Sequence, residues 1–165
     1  MKKSKNILIV EEFLNFLIDK YNFKIQKFED TGYALYVKFV SPKAGIYFTY
    51  EFRDFIPQIQ FSIIGTEELT IRPGIYTIKE LYKDHNYKLK SFFLDEILLF
   101  KGNDNYKKYF QEIKTIEDGI RISSELIKEF AIDYLEGNEV SYYMIDKWFR
   151  KQALNSFTDA TSPSI

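Results

Sequence analysis

The single histidine, His85, follows Asp84 in the stretch Lys83-Asp84-His85-Asn86-Tyr87. A histidine beside a carboxylate could serve as a general base held in one orientation. Adjacent residues seldom reach that geometry, and no G-x-S-x-G nucleophile accompanies the pair. A residue in a polar turn is the plainer reading. Neighbouring carboxylates stand at Glu11-Glu12, Glu67-Glu68, Asp95-Glu96 and Glu117-Asp118. Sequence neighbours do not share a helix face, and a glycosidase pair is drawn from separated elements. Solvated surface charge is therefore the expectation for each pair. With no cysteine, thiolate nucleophiles and Cys-ligated zinc or iron–sulfur sites are excluded. One histidine leaves no histidine cluster. The seven glycines form neither a phosphate-binding loop nor a dinucleotide fingerprint, and there is no calcium-loop pattern. These residues predict no catalytic site, no metal and no cofactor. The alternative is an enzyme whose site leaves no motif, with His85 the first candidate base.

The aromatic residues carry more information. There are 16 Phe, 13 Tyr and one Trp, many of them in segments that read as strands. Aromatic strands can stack nucleic-acid bases. The run Thr31-Gly32-Tyr33-Ala34-Leu35-Tyr36-Val37-Lys38-Phe39 resembles the RNP1 pattern of RNA-recognition sheets. It departs from that pattern twice. Thr31 replaces the basic residue, and the aromatic–valine step comes one residue late, which sends later side chains to the opposite face. Formal charges nearly cancel, at 23 basic against 24 acidic residues, so a strongly basic nucleic-acid binder is not indicated. A different surface is expected on the polar side of the strands. Tyr36, Lys38, Tyr47, Thr49, Glu51, Arg53, Gln60 and Ser62 would share it. Tyr and Arg are enriched at protein interfaces because they join apolar area to hydrogen bonding. Tyr36, Lys38, Tyr47, Glu51 and Arg53 are its candidate contact residues. A plain solvated face is the alternative, since antiparallel sheets commonly expose one side.

Charge is unevenly spread. Residues 1–90 carry 14 basic and 11 acidic side chains, whereas residues 91–137 carry 6 and 10. On a helix at about 100° per residue, Asp118, Glu125, Glu129, Asp133 and Glu136 fall on one side. Ile113, Ile116, Ile120, Ile127, Phe130 and Tyr134 fall on the other. Such a stripe is either the solvated back of an amphipathic helix or an acidic surface for a basic partner.

The elements that must position these residues follow from periodicity. Val10, Phe13, Leu14, Leu17, Ile18 and Tyr21 predict a helix over 7–21. From Phe23 the period shortens. Phe23, Ile25 and Phe28 predict a first strand with imperfect alternation. Glu29-Asp30-Thr31-Gly32 marks a turn. A second strand runs from Tyr33 to Val40, with Tyr33, Leu35, Val37 and Phe39 on one face. Ser41-Pro42-Lys43-Ala44-Gly45 closes a hairpin. A third strand spans Ile46 to Arg53, and Ile59, Phe61 and Ile63 mark a fourth. Thr77-Ile78-Lys79-Glu80 reads as a capping box for a short helix starting near Ile78. A further helix is predicted from about Ser91 to Phe100. Residues 105–136 are helical in pattern, with a second capping box at Thr115-Ile116-Glu117-Asp118 and a break expected near Lys114. Gly137-Asn138 is a stop, and a last helix covers 141–153. The fold class is α+β: an N-terminal helix, a four-stranded antiparallel meander, then a C-terminal helical region. One domain is expected over residues 1–156, with a disordered tail over 157–165.

The order of parts resembles that of small cytosolic immunity proteins of bacterial polymorphic-toxin systems. The similarity lies in Phe16-Leu17-Ile18-Asp19-Lys20-Tyr21-Asn22-Phe23 leading out of the first helix. It extends to the aromatic hairpin Tyr36-Val37-Lys38-Phe39-Val40 to Ile46-Tyr47-Phe48-Thr49-Tyr50 and to Tyr134-Leu135-Glu136-Gly137-Asn138. The resemblance implies a protein that binds and blocks one cognate toxin and has no catalytic site. It assigns no residue a role.

The expected partner is another protein, with a basic toxin domain the most concrete case and a second copy of the chain the alternative. The apolar run Ile7-Leu8-Ile9-Val10 stops at Glu11 and is too short for a secretory core of about 7–15 residues. No run approaches the ~20 apolar residues of a membrane span. A cytoplasmic location is the expectation.

Overall fold

Ser4 begins the first helix by accepting a hydrogen bond from the Ile7 amide at 3.3 Å through its side chain. The computed structural model describes residues 4–54, 56–63 and 72–158. Helix α1 (Lys5–Tyr21) ends at Asn22, whose φ of 59° turns the chain so that the Phe23 N–H reaches back to the Leu17 carbonyl at 3.0 Å. Val10, Leu14 and Leu17 are buried, as their spacing predicts.

Among the described residues five strands follow, β1 (Lys24–Asp30), β2 (Ala34–Val40), β3 (Ala44–Glu51), β4 (Gln58–Ile63) and β5 (Ser91–Phe93). They form one antiparallel sheet in the order β1-β2-β3-β4-β5. The meander is therefore one strand longer than the predicted four. Ser91-Phe92-Phe93 pairs with Gln60–Ser62, where the sequence predicts the start of a helix. Three residues are too few to show alternation, and the helix begins only at Leu94. The irregular first strand has a physical cause. Its register shifts between Ile25 and Lys27, so Ile25 pairs with Phe39 and Phe28 with Val37. The bulge returns both apolar residues to one face. Tyr33 does not join that face; it sits in the turn before β2 and is 85% exposed.

Seven helices are assigned among the described residues. Besides α1 they are α2 (Ile75–Leu81), α3 (Leu94–Phe100), α4 (Lys107–Gln111), α5 (Ile116–Phe130), α6 (Ile132–Leu135) and α7 (Glu139–Thr158). Helix α2 starts three residues before the expected Ile78. Gly74 is extended after Pro73, and Ile78 N–H already bonds the Gly74 carbonyl at 2.9 Å. Thr77 thus lies inside the first turn and caps nothing. The predicted cap at Thr115 is present: its hydroxyl accepts from Asp118 N–H at 3.0 Å and the Asp118 carboxylate accepts from Thr115 N–H at 3.1 Å. Asn138 caps α7 by accepting from the Val140 and Ser141 amides. The helix runs past the expected end at 153 because Lys151–Thr158 contains no breaker. Phe157 and Thr158, expected in a disordered tail, are helical, and residues 159–165 of that expected tail lie outside the described residues.

The helices cover one sheet face. Leu35, Val37 and Phe39 on β2, Ile46, Phe48 and Tyr50 on β3, and Phe61 on β4 are buried there. Helix α5 meets Tyr50 at Gly119. Ser124 on α5 donates to the Phe13 carbonyl of α1 at 2.6 Å. Tyr134 of α6 packs on Phe61, and Tyr142 and Phe149 of α7 pack on Phe92. No helix among the described residues is long and apolar enough to cross a membrane.

Candidate functional site

Strand register assembles the opposite sheet face from residues far apart in sequence. One cross-strand row reads Glu29, Tyr36, Thr49, Gln58. The next reads Lys27, Lys38, Tyr47, Gln60, Phe93. Tyr36, Lys38, Tyr47 and Thr49 are half-buried, while Gln60 and Ser62 are buried nearer β5. Lys27 and Glu29 form an ion pair at 3.0 Å, and that hydrogen bond holds the Lys27 ammonium above its ordinary pKa. The expected neighbours Tyr36, Lys38 and Tyr47 are therefore brought together. Glu51 ends β3 opposite Ala34 and is exposed. Arg53 lies in the turn beyond β3 and not on the face, because the strand ends at Glu51.

The acidic residues of the helical region do not share one helix. The helix stops at Phe130, and Ala131 adopts φ −116° and ψ 14° before α6 begins. Asp133 and Glu136 therefore leave the line of Asp118, Glu125 and Glu129. Basic groups also interrupt the stripe. Arg121 bonds Glu125 at 3.1 Å and lies 3.6 Å from Asp118. Lys101 lies 3.7 Å from Asp133. Glu136 lines an open cleft of about 540 Å³ with Lys20 and Lys43. The Asp118 carboxyl is held below its ordinary pKa, chiefly by hydrogen bonding at the Thr115 cap and to Lys114 N–H.

His85 is exposed in the turn after α2 and lines neither this cleft nor the cavity described next. The turn is fixed by other residues. Buried Asp146 on α7 accepts from the Tyr82 hydroxyl and the Leu89 amide, both at 2.8 Å. One turn on, Arg150 donates to the carbonyls of Tyr82, Asp84 and Tyr87. Its guanidinium lies 4.4 Å from the centre of the Tyr82 ring. Burial, with Asp146 alongside, pushes the Tyr82 hydroxyl pKa far up.

The carboxylate neighbours Asp95 and Glu96 diverge. Glu96 takes a two-toothed contact from Arg72, at 2.8 Å on each oxygen, and accepts from Phe93 N–H. Asp95 instead lines a cavity of about 450 Å³ between the start of β4, the β5–α3 junction and α4. Burial, followed by the charge of Glu96, raises its pKa. Glu67-Glu68 lies outside the described residues. The cavity escaped sequence reasoning because its walls come from segments some 50 residues apart with no shared spacing. No group of three or more acidic or histidine side chains among the described residues could hold a metal ion.

No family model matches the chain, and no curated protein or solved structure matches it.

Proposed function

We propose that this chain is a protein-binding protein whose contact surface is the polar, aromatic face of the sheet. The observation that carries this reading is the register that makes Tyr36, Lys38 and Tyr47 neighbours opposite the helical layer. Two phenol rings and an ammonium on one sheet face combine apolar area with hydrogen-bonding tips. Strand geometry holds them in place before a partner arrives, which lowers the entropy lost on binding. The acidic residues are the weaker surface, since Arg121 and Lys101 already answer much of their charge. The resemblance to immunity proteins makes a toxin the partner of choice, and inhibition by binding the mode of action.

The test is co-expression with the product of the adjacent gene, followed by affinity purification across a salt series. A stoichiometric complex that resists salt and is lost in Tyr36→Ala/Tyr47→Ala supports the sheet face. A complex unaffected by that variant but dissolved by Glu125→Lys/Glu129→Lys/Asp133→Lys moves the contact to the acidic surface. A folded, monomeric chain with no complex counts against the reading.

A further inference from the structure

We infer that the cavity between β4, the β5–α3 junction and α4 is a binding site for an organic ammonium group carried on an apolar body. Its volume of about 450 Å³ lies within the range of small-ligand sites. Three aromatic residues line it: Phe93 from β5, Tyr106 just before α4, and Phe110 within α4. Tyr106 and Phe110 stand edge to face, with ring centres 6.1 Å apart. Ile56, Pro57 and Ile59 add aliphatic wall.

The polar group that decides the ligand class is Asp95. Among the described residues it has no ion-pair partner: the charge of Arg72 reaches it, but the guanidinium bonds both oxygens of Glu96. One of its oxygens accepts the Glu96 amide at 3.0 Å. A carboxylate facing an aromatic-lined hollow is costly to leave alone and is satisfied by a cation. Aromatic faces attract the same cation through their quadrupoles, and more strongly where water is excluded. Lys107, at the same cavity, is exposed, so solvent screens its opposing charge. Burial and the charge of Asp95 both raise the Tyr106 phenol pKa, which is what closeness of the two predicts.

The inference does not depend on the protein-binding reading. Calorimetric titration of the full chain at neutral pH with 2-phenylethylamine, a cation there, and with neutral 2-phenylethanol tests it directly. The amine is expected to bind about tenfold more tightly or better, with amide shifts confined to residues around Asp95 and Tyr106. Asp95→Asn, which keeps the bond to the Glu96 amide, should remove the preference and leave the melting temperature near that of the parent. Tyr106→Leu provides a second variant and should weaken the amine more than the alcohol. Equal binding of the two probes, no binding of either, or a preference that survives Asp95→Asn each overturns the inference. A lysine-containing peptide that competes with the amine would name a protein side chain as the source. Failure of the peptide where the free amine binds would name a small metabolite.

Discussion

Gly119 on α5 packs closely against the hydroxyl end of the Tyr50 side chain on β3. A Cβ added to Gly119 would come within 2.6 Å of two ring carbons of this fully buried tyrosine. The Tyr50 hydroxyl donates to the Thr115 carbonyl at 3.3 Å, tying β3 to the start of α5. Burial, with Asp118 nearby, pushes the phenol pKa up to about 12.

Gly119→Ala should overpack this contact and cost about 1–3 kcal/mol. Thermal denaturation reads it as a lower midpoint. Tyr50→Leu in the same chain should return part of the loss, because the smaller side chain admits the methyl group. A neutral Gly119→Ala would show that α5 does not approach so closely.

Asp146→Ala should leave the Tyr82 hydroxyl and the Leu89 amide without their buried acceptor. The expected cost is about 1–3 kcal/mol for each donor left unsatisfied. Urea denaturation measures it. Tyr82→Phe in the same background should cost less than it does alone, since its partner is already gone.

Arg150→Lys keeps the charge but not the planar fork that reaches three carbonyls. Amide hydrogen exchange across 82–89 should quicken, with little change in β2 and β3. Equal protection in both chains would show that the turn does not rely on Arg150.

Acid should loosen α5 at its cap. The Asp118 carboxyl titrates below its ordinary value of 3.8 in the folded chain, so its ionised form is the one folding favours. That contribution is present above the unfolded pKa and is lost as pH falls through the lower folded one. The stability difference between the parent and Asp118→Asn should therefore be constant near neutrality and shrink from about pH 4 downward. A difference independent of pH would mean that the cap does not depend on the charge.

Much of the fold is legible in the sequence wherever one face of an element is buried. Val10, Leu14 and Leu17 repeat at helical spacing, and Leu35, Val37 and Phe39 alternate, because each faces the same core. The signal fails where an element is short or ends early. Ser91–Phe93 offers one inward residue, Phe92, and no period. Ala131 carries no breaker residue, yet the helix stops there. The sheet face was legible in Tyr36, Lys38 and Tyr47 because alternation fixes side. Arg53 falls outside the face because alternation does not say where a strand stops. The cavity around Asp95 left no trace, since packing alone joins β4 to α4.

The shifted register of β1 has a consequence for the molecule in a crowded solution. Among the described residues β1 has one partner strand, β2, so its outer edge is a place where a foreign strand could add. The bulge between Ile25 and Lys27 twists that edge, and Lys24, Lys27, Glu29 and Asp30 charge it. A straight, apolar strand there would invite edge-to-edge growth into fibres. Removing one residue at the bulge should produce such aggregation before any loss of helix.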